Sequence, residues 1–336
     1  LPTSIAHFLS GTDPLRELEV PLFEIKDIPG KGKGLVARFN ISRGTRILCE
    51  EPLLITQPKP HEELELLLAA KLKAMSRASQ RQFLSLHNNF PGKYPFSGIV
   101  KTNALPCGSG SVVGGVYPTV CLINHSCIPN AHNNWNKSKE HETIHAIRPI
   151  KSGEEITISY DHGGPSSVRQ RFLKESFGFT CTCSGCTLTP SSLQESDNRR
   201  TQIQSLDEAI GDPFRMMSRP QESLQDCCSL LRVLEQESDG YAGALVARLY
   251  YDAFQICIAH KDRARASIFA ERAYKTRVIC EGDDSPDTRR MKSLAFKPAD
   301  HNSFGAYSSK WQTSRESIPM DLDTTQFNKW LFRQES

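Results

Sequence analysis

Cys181, Cys183 and Cys186 form a C-x-C-x-x-C run, and that spacing constrains the chain more than any other feature in it. Three thiolates so close together suit a structural Zn²⁺, which takes four tetrahedral ligands. The fourth has to come from elsewhere. Cys127 is the natural donor because it sits in the other polar motif, Asn124-His125-Ser126-Cys127-Ile128-Pro129-Asn130. A metal held this way would clip together segments 54 residues apart. Such a clip is worth roughly 4 kcal/mol if the chain-entropy relation for disulfides carries over. The bland alternative is four reduced cysteines in an apolar core, but buried cysteines rarely cluster at ligand spacing among Thr, Ser and Gly.

With 336 residues the chain is long enough for two domains and a well-buried core. A net charge of +3 is too small to argue for nucleic acid, which would need a broad basic stripe. Eleven cysteines, an odd number with one metal-spaced group, point to a reducing compartment rather than a disulfide framework. No apolar run of membrane length and no n-region plus h-region is present. That statement covers these residues only, since the chain opens on Leu1 rather than Met.

Residues 1–19 show no clear period and read as a lead-in. Leu22 to Ile25 suggest a short strand, followed by Pro29-Gly30-Lys31-Gly32-Lys33-Gly34, a turn at Arg43-Gly44 and a strand over Arg46 to Glu50. Glycines in such a loop let a ligand approach the backbone, and equally make an ordinary hairpin turn. The spacing is not that of a Walker loop or a dinucleotide fingerprint, and no helix pattern follows it. Leu64, Leu67, Leu68, Leu72 and Met75 repeat at helical spacing within residues 61–87. Residues 91–116, rich in Gly, Pro and Ser, read as an irregular loop.

Tyr117 suits either a core or a pocket wall. Asn124 and His125 interrupt the otherwise apolar Val120, Leu122 and Ile123, so once buried they need partners. A ligand can supply them; alone, His125 reads equally as a core histidine bonded to backbone. Pro129 fixes a turn that Asn130 braces. Thr143 to Ile147 and Glu155 to Tyr160 read as strands about a turn at Lys151-Ser152-Gly153. Ile156 and Ile158 share one face, Thr157 and Ser159 the other, and the strand finishes on Tyr160. Glu154 and Glu155 are an acid/base pair or, more simply, a solvated strand start. A polar loop over residues 162–170 runs into a short helix, Val168 to Phe177, that leads to the cysteines. From Asp197 onward the pattern is helical, with Leu224, Cys228, Leu231 and Leu234, then Leu245, Leu249, Ala253 and Ile256, then Phe269, Ala273, Thr276 and Cys280. Residues 300–336 are polar with scattered Trp311, Trp330 and Phe332, and either dock or dangle.

The motifs N-H-S-C-x-P-N, G-E-E-I-T-I-S-Y and F-x-C-x-C-x-x-C, in this order, resemble the SET domain of protein lysine methyltransferases, more narrowly the SMYD-like and fungal SET proteins. The resemblance covers roughly residues 20–186, with a weaker echo in the helical remainder. It implies an α+β protein: a β-rich SET domain with a pseudoknot-like active site and a zinc-binding post-SET segment, then an all-α, TPR-like C-terminal domain. The implied boundaries are a lead-in at 1–19, a SET domain at 20–162 with a helical insert at about 61–90, a post-SET zinc segment at 163–190, a helical domain at 197–298 and a tail at 299–336.

The same resemblance implies S-adenosyl-L-methionine (SAM) and structural Zn²⁺ as cofactors. Lys31, Gly32, Lys33, Asn124, His125, Tyr160 and Phe179 would contact SAM. Tyr160 would be catalytic, Tyr117, Phe177 and Phe179 would wall the substrate channel, and Cys127, Cys181, Cys183 and Cys186 would hold the metal. The implied activity is SAM-dependent methyl transfer to the ε-amine of a protein lysine, in a histone tail or elsewhere, by a monomer in the nucleus or cytoplasm that binds neither nucleic acid nor membrane. Three departures stand out. No MYND finger fits between Glu51 and the insert, Leu105 replaces an aromatic pocket residue, and Phe177 stands where related enzymes often have tyrosine. Two other classes remain consistent with these residues: a catalytically silent SET scaffold, and a zinc-stabilised interaction module. Binding of SAM separates both from an enzyme.

Overall fold

The computed structural model describes residues 20–161 and 163–334; the lead-in expected at 1–19, His162 and the last two residues lie outside the described residues. Strands β1 (Phe23–Ile28) and β2 (Gly32–Ala37) form an antiparallel hairpin, longer than the strand read from Leu22 to Ile25. Strands β3 (Arg46–Glu50) and β4 (Leu54–Thr56) follow. The helical pattern over 61–87 resolves into two helices, α1 (His61–Ala74) and α2 (Arg77–Leu84). The break is at Ser76, whose hydroxyl caps α2 by accepting from the Ser79 amide at 3.1 Å.

The loop expected over 91–116 is corrected: it contains a helix, α3 (Pro95–Asn103). Pro95 presets the first helical φ. The Glu65 carboxylate of α1 then accepts the amides of Phe96 and Ser97 at 3.0 and 2.8 Å. That cap satisfies two orphan donors from a distant element.

Strands β5 (Leu105–Pro106), β6 (Gly114–Val116), β7 (Asn124–His125), β8 (Ala131–Asn136), β9 (His141–Ala146) and β10 (Glu155–Ile158) complete three small sheets. Their orders are β1-β2-β10-β7, β3-β9-β8 and β4-β6-β5. Among the described strands β7 and β10 pair in parallel, with Thr157 opposite Asn124 and Ile158 opposite His125. These are the two stretches from which a pseudoknot-like site is expected. Ile156 and Ile158 face the core as read, but Thr157 is buried too, its amide donating to Asn130 Oδ1 at 2.8 Å.

Leu35, Ile47, Tyr117, Ile144 and Ile156 are fully buried in the core of these sheets. Glu142 is buried with them, and its one hydrogen bond, from Asn133 Nδ2 at 3.1 Å, leaves Oε2 without a partner. Burial pushes its carboxyl up to about 8. A folded pKa raised above the unfolded one gives stability that is full in acid and lost as pH rises toward that value. Glu142→Gln is therefore expected to raise the melting temperature by roughly 5–10 °C near pH 8, with the gain shrinking to nothing toward pH 4.5. Thermal melts of both proteins across that range check this.

The second half is helical: α4 (Ser166–Phe177), α5 (Pro190–Ile210), α6 (Pro213–Ser218), α7 (Pro220–Ser238), α8 (Ala244–Ala259), α9 (Arg263–Glu281), α10 (Pro286–Phe296) and α11 (Thr324–Leu331). Helix α5 starts ahead of the Asp197 boundary because Thr189 caps it and Pro190 opens it. The apolar repeat points inward as read at Leu224, Leu249, Ala253, Ile256, Phe269 and Ala273, whereas Leu245, in the first turn of α8, is 48% exposed. The tail docks: Leu331 and Phe332 are buried in the helical core, and Phe332 meets the Phe269 ring edge-on at 5.2 Å. The two halves touch where α9 packs on β8 and β9. There Arg46 and Lys139 both pair with Asp284, the latter at 2.7 Å. Among the described residues no helix is long and apolar enough to cross a membrane.

Candidate active site

The site is assembled where β7, β10 and the glycine-rich turn converge. Glu50, at the end of β3, accepts the amides of Thr119 and Val120 at 2.8–3.0 Å and so caps the 3₁₀ turn Val120–Leu122. That cap sets the path of the chain into Asn124. Opposite, β2 must pass directly against the Asn124 side chain. A Cβ at Gly34 would lie 2.8 Å from Asn124 Nδ2 and 2.7 Å from Ile28 Cγ1, so only glycine permits the approach.

The Asn124 amide donates to Lys33 O at 3.1 Å and to Glu155 Oε1 at 2.9 Å. Both donors are thus committed, which leaves the side-chain carbonyl oxygen to accept from a ligand. The other Glu155 oxygen pairs with Lys31 at 2.7 Å. The glutamates are neither an acid/base pair nor a merely solvated strand start: Glu155 orients Asn124, and Glu154 binds Arg148 and Asn130. Asn130 braces its turn as read, donating to Glu155 O at 2.8 Å.

Tyr160 follows β10 and packs its ring against His125, 5.4 Å between centroids, and Phe177, 4.9 Å. Its hydroxyl donates to Ile123 O at 2.5 Å. Burial, with the nearby Cys121 and Glu155 charges, pushes the phenol above its ordinary range, so it stays protonated and its proton stays on that carbonyl. The oxygen lone pairs remain to accept. His125 is buried and accepts the Tyr160 amide on Nδ1 at 2.9 Å; burial holds it below the usual histidine range.

The four expected metal ligands come together. The Sγ atoms of Cys127, Cys181, Cys183 and Cys186 all lie within 4.8 Å of one another, with Cys127 at 4.0 Å from Cys181 and 3.5 Å from Cys186. Tetrahedral Zn²⁺ with bonds of about 2.3 Å requires sulfurs about 3.8 Å apart, so the four thiols fit that ion. The helical half braces this centre. Arg169, fully buried, reaches Gly164 O at 2.5 Å and Cys186 Sγ at 3.8 Å, and Arg200 donates to Cys127 O at 3.2 Å while bound to Glu237 at 2.6 Å. The chain turns from α4 into the cysteines at Gly178, φ 76°, a left-handed cap that throws Phe179 back across Phe177.

These pieces line one open cleft of about 530 Å³, within the ~300–1,000 Å³ range of small-molecule sites. Lys31, Gly32, Lys33, Asn124, His125, Tyr160, Phe177 and Phe179 all border it, as do Cys181 and Cys183. Cationic, amide, imidazole and aromatic groups in one cleft suit a zwitterionic nucleoside such as SAM. Tyr117 is corrected: it is wholly buried in the core and absent from the cleft lining, because β6 packs its ring inward beside Gly115. His87, Asn89 and Thr102 also border the cleft and were not foreseen. Asn103, which donates to His87 O and Ile99 O at 2.7 Å, ties α3 to that wall.

Comparison with known proteins agrees with this geometry. The SET domain family model matches residues 32–161. Histone-lysine N-methyltransferase set5 of Schizosaccharomyces pombe is 33% identical over 285 residues, covering 84% of this chain and 86% of that protein. N-lysine methyltransferase SMYD2 of Homo sapiens is 26% identical over 178 residues, 48% of this chain and 40% of that protein. The solved SET domain of LSMT bound to lysine and AdoHcy covers 85% of this chain and 90% of that one at 14% identity, but its TM-score of 0.34 is too low to bear on function.

Proposed function

The chain belongs to the SET-domain protein lysine methyltransferase family, and we propose that it moves methyl groups from SAM to the ε-amine of a lysine in a histone or another nuclear or cytoplasmic protein. One observation carries the reading: Tyr160, Asn124, His125, the glycine turn and the Phe177–Phe179 pair share a single cleft next to a four-cysteine metal site. When bound, SAM supplies an electrophilic methyl group on a sulfonium. Lys31, Gly32, Lys33 and Asn124 would hold its amino-acid end, with the Asn124 side-chain oxygen free to accept from an ammonium, and Phe179 and His125 would line the rest of its site.

A free lysine has a pKa near 10.4 and is a poor nucleophile while protonated. The aromatic walls formed by Tyr160, Phe177 and Phe179 disfavour the ammonium form by desolvation. The Tyr160 oxygen, its own proton on Ile123 O, accepts an N–H of the amine and aims the lone pair, so rate comes from positioning. Among the described residues lining the cleft, the one imidazole beside Tyr160, that of His125, has its Nδ1 occupied by the Tyr160 amide, so the amine loses its proton to water before transfer. Zn²⁺ held by Cys127, Cys181, Cys183 and Cys186 would be structural, fixing the wall that carries Phe179. The turn at residues 137–140 between β8 and β9 and the helical, TPR-like half would set substrate choice.

The test is transfer of labelled methyl from SAM to core histones and a lysine-oriented peptide library, read by mass spectrometry. Label on lysine that disappears with Tyr160→Phe supports the reading; no lysine methylation across the library, in zinc-loaded protein, contradicts it. Because Phe177 lacks the hydroxyl that would restrain a partly methylated amine, di- or trimethyl products are expected. Phe177→Tyr should shift the distribution toward monomethyl. Monomethyl product alone from the wild type under excess SAM would count against this role for Phe177.

A further inference from the structure

We propose that His125 is a positioning residue that ties Tyr160 to the metal centre, with its two ring nitrogens serving the two sides. The proposal rests on reading Tyr160 as the reacting tyrosine and the four cysteines as a zinc site. On one side Nδ1 accepts the Tyr160 amide at 2.9 Å, and an imidazole nitrogen can accept only when it carries no proton. The ring proton therefore sits on Nε2. On that side stand two acceptors, Cys127 Sγ at 3.3 Å and Asp161 Oδ2 at 3.5 Å. The sulfur distance is ordinary for an N–H···S bond, whereas 3.5 Å is long for a carboxylate. Asp161 is already held through Oδ1 by the Gly163 amide at 2.8 Å. The imidazole thus donates to a metal-ligating sulfur while accepting from the backbone of the reacting tyrosine. His125 is 4% exposed, so water competes for neither bond.

Both partners select the same tautomer: the Tyr160 amide requires an unprotonated Nδ1, and Cys127 Sγ stands where it accepts from Nε2–H. Parallel pairing of β7 with β10 brings the two chains together, but it ends at Ile158 opposite His125. Beyond that register the Ser126 amide donates to Ile158 O at 3.0 Å, and the imidazole then extends the tie to the Tyr160 backbone amide, while the Tyr160 hydroxyl is held on Ile123 O.

The experiment uses the zinc-loaded full chain and two variants that each keep one nitrogen's position. His125→Asn keeps an acceptor near Nδ1 and loses the Nε2 donor; His125→Gln keeps a donor near Nε2 and loses the acceptor. Long-range ¹H–¹⁵N correlation on the wild type should show the Nε2–H tautomer. Each lost bond should cost about tenfold in its own readout. His125→Asn should release zinc to a chelator about tenfold faster with the Tyr160 amide still protected. His125→Gln should retain zinc, exchange the Tyr160 amide about tenfold faster, and lower kcat more than it changes SAM affinity. An Nδ1–H tautomer in the wild type overturns the proposal, and so do variants that lose both readouts together, as simple core packing would produce. Retained turnover in Tyr160→Phe would instead sink the catalytic reading while leaving the tautomer and exchange results standing.

Discussion

Tyr160→Phe is expected to lower turnover by roughly tenfold or more while leaving SAM affinity nearly unchanged. The phenylalanine ring keeps the contacts with His125 and Phe177, at 5.4 and 4.9 Å, so the walls of the cleft survive. What disappears is the oxygen proposed to accept from the amine. The SAM contacts assigned to Asn124 and the glycine turn do not involve that oxygen, which is why binding and turnover should separate. Ile123 O loses its donor as well. That costs about 1 kcal/mol of stability, small enough for the variant to be assayed folded. Single-turnover rates and SAM titrations on the same zinc-quantified preparations read both quantities. Undiminished turnover would remove Tyr160 from the chemistry.

Removing the metal should have the larger effect on stability. Cys127 and Cys181 lie 54 residues apart, and releasing a clip of that span forfeits roughly 4 kcal/mol. Cys183→Ser, or chelation of the wild type, should therefore lower the melting temperature by on the order of 10 °C. Function should follow, because Cys181 and Cys183 border the cleft directly and the chain between α4 and the cysteines carries Phe179. SAM affinity is expected to fall together with the melting temperature. A chelated protein with an unchanged melting curve and unchanged SAM binding would show that the cysteines hold no structural metal.

Much of the site was legible because its chemistry is local. The C-x-C-x-x-C spacing announces a metal, and Asn124 and His125 stand out as polar residues in an apolar stretch. The strand ending on Tyr160 was readable from its alternation, and so was the helix running into the cysteines. Misreadings arose where a distant residue decides. Helix α3 reads as loop in the sequence because its cap comes from Glu65, on another helix. Glu155 looked like a solvated strand start because neither Asn124 nor Lys31 is near it in sequence. Tyr117 resembled a channel residue, yet its ring lies against Gly115 of β6 and is wholly buried in the core. His87 and Asn89 lie beyond an insert whose period says helix but not which end meets the cleft. Leu245 keeps the apolar spacing and is exposed, since a period does not say where a helix begins.

The most direct measurement is a calorimetric titration of SAM into the wild type and Asn124→Ala, with zinc quantified in the same samples. The account predicts SAM binding by the wild type and at least a tenfold weakening in the variant, with about one zinc per chain in both. Zinc-loaded wild type that binds no SAM would contradict it, leaving a folded SET-domain shell that acts as a scaffold rather than an enzyme.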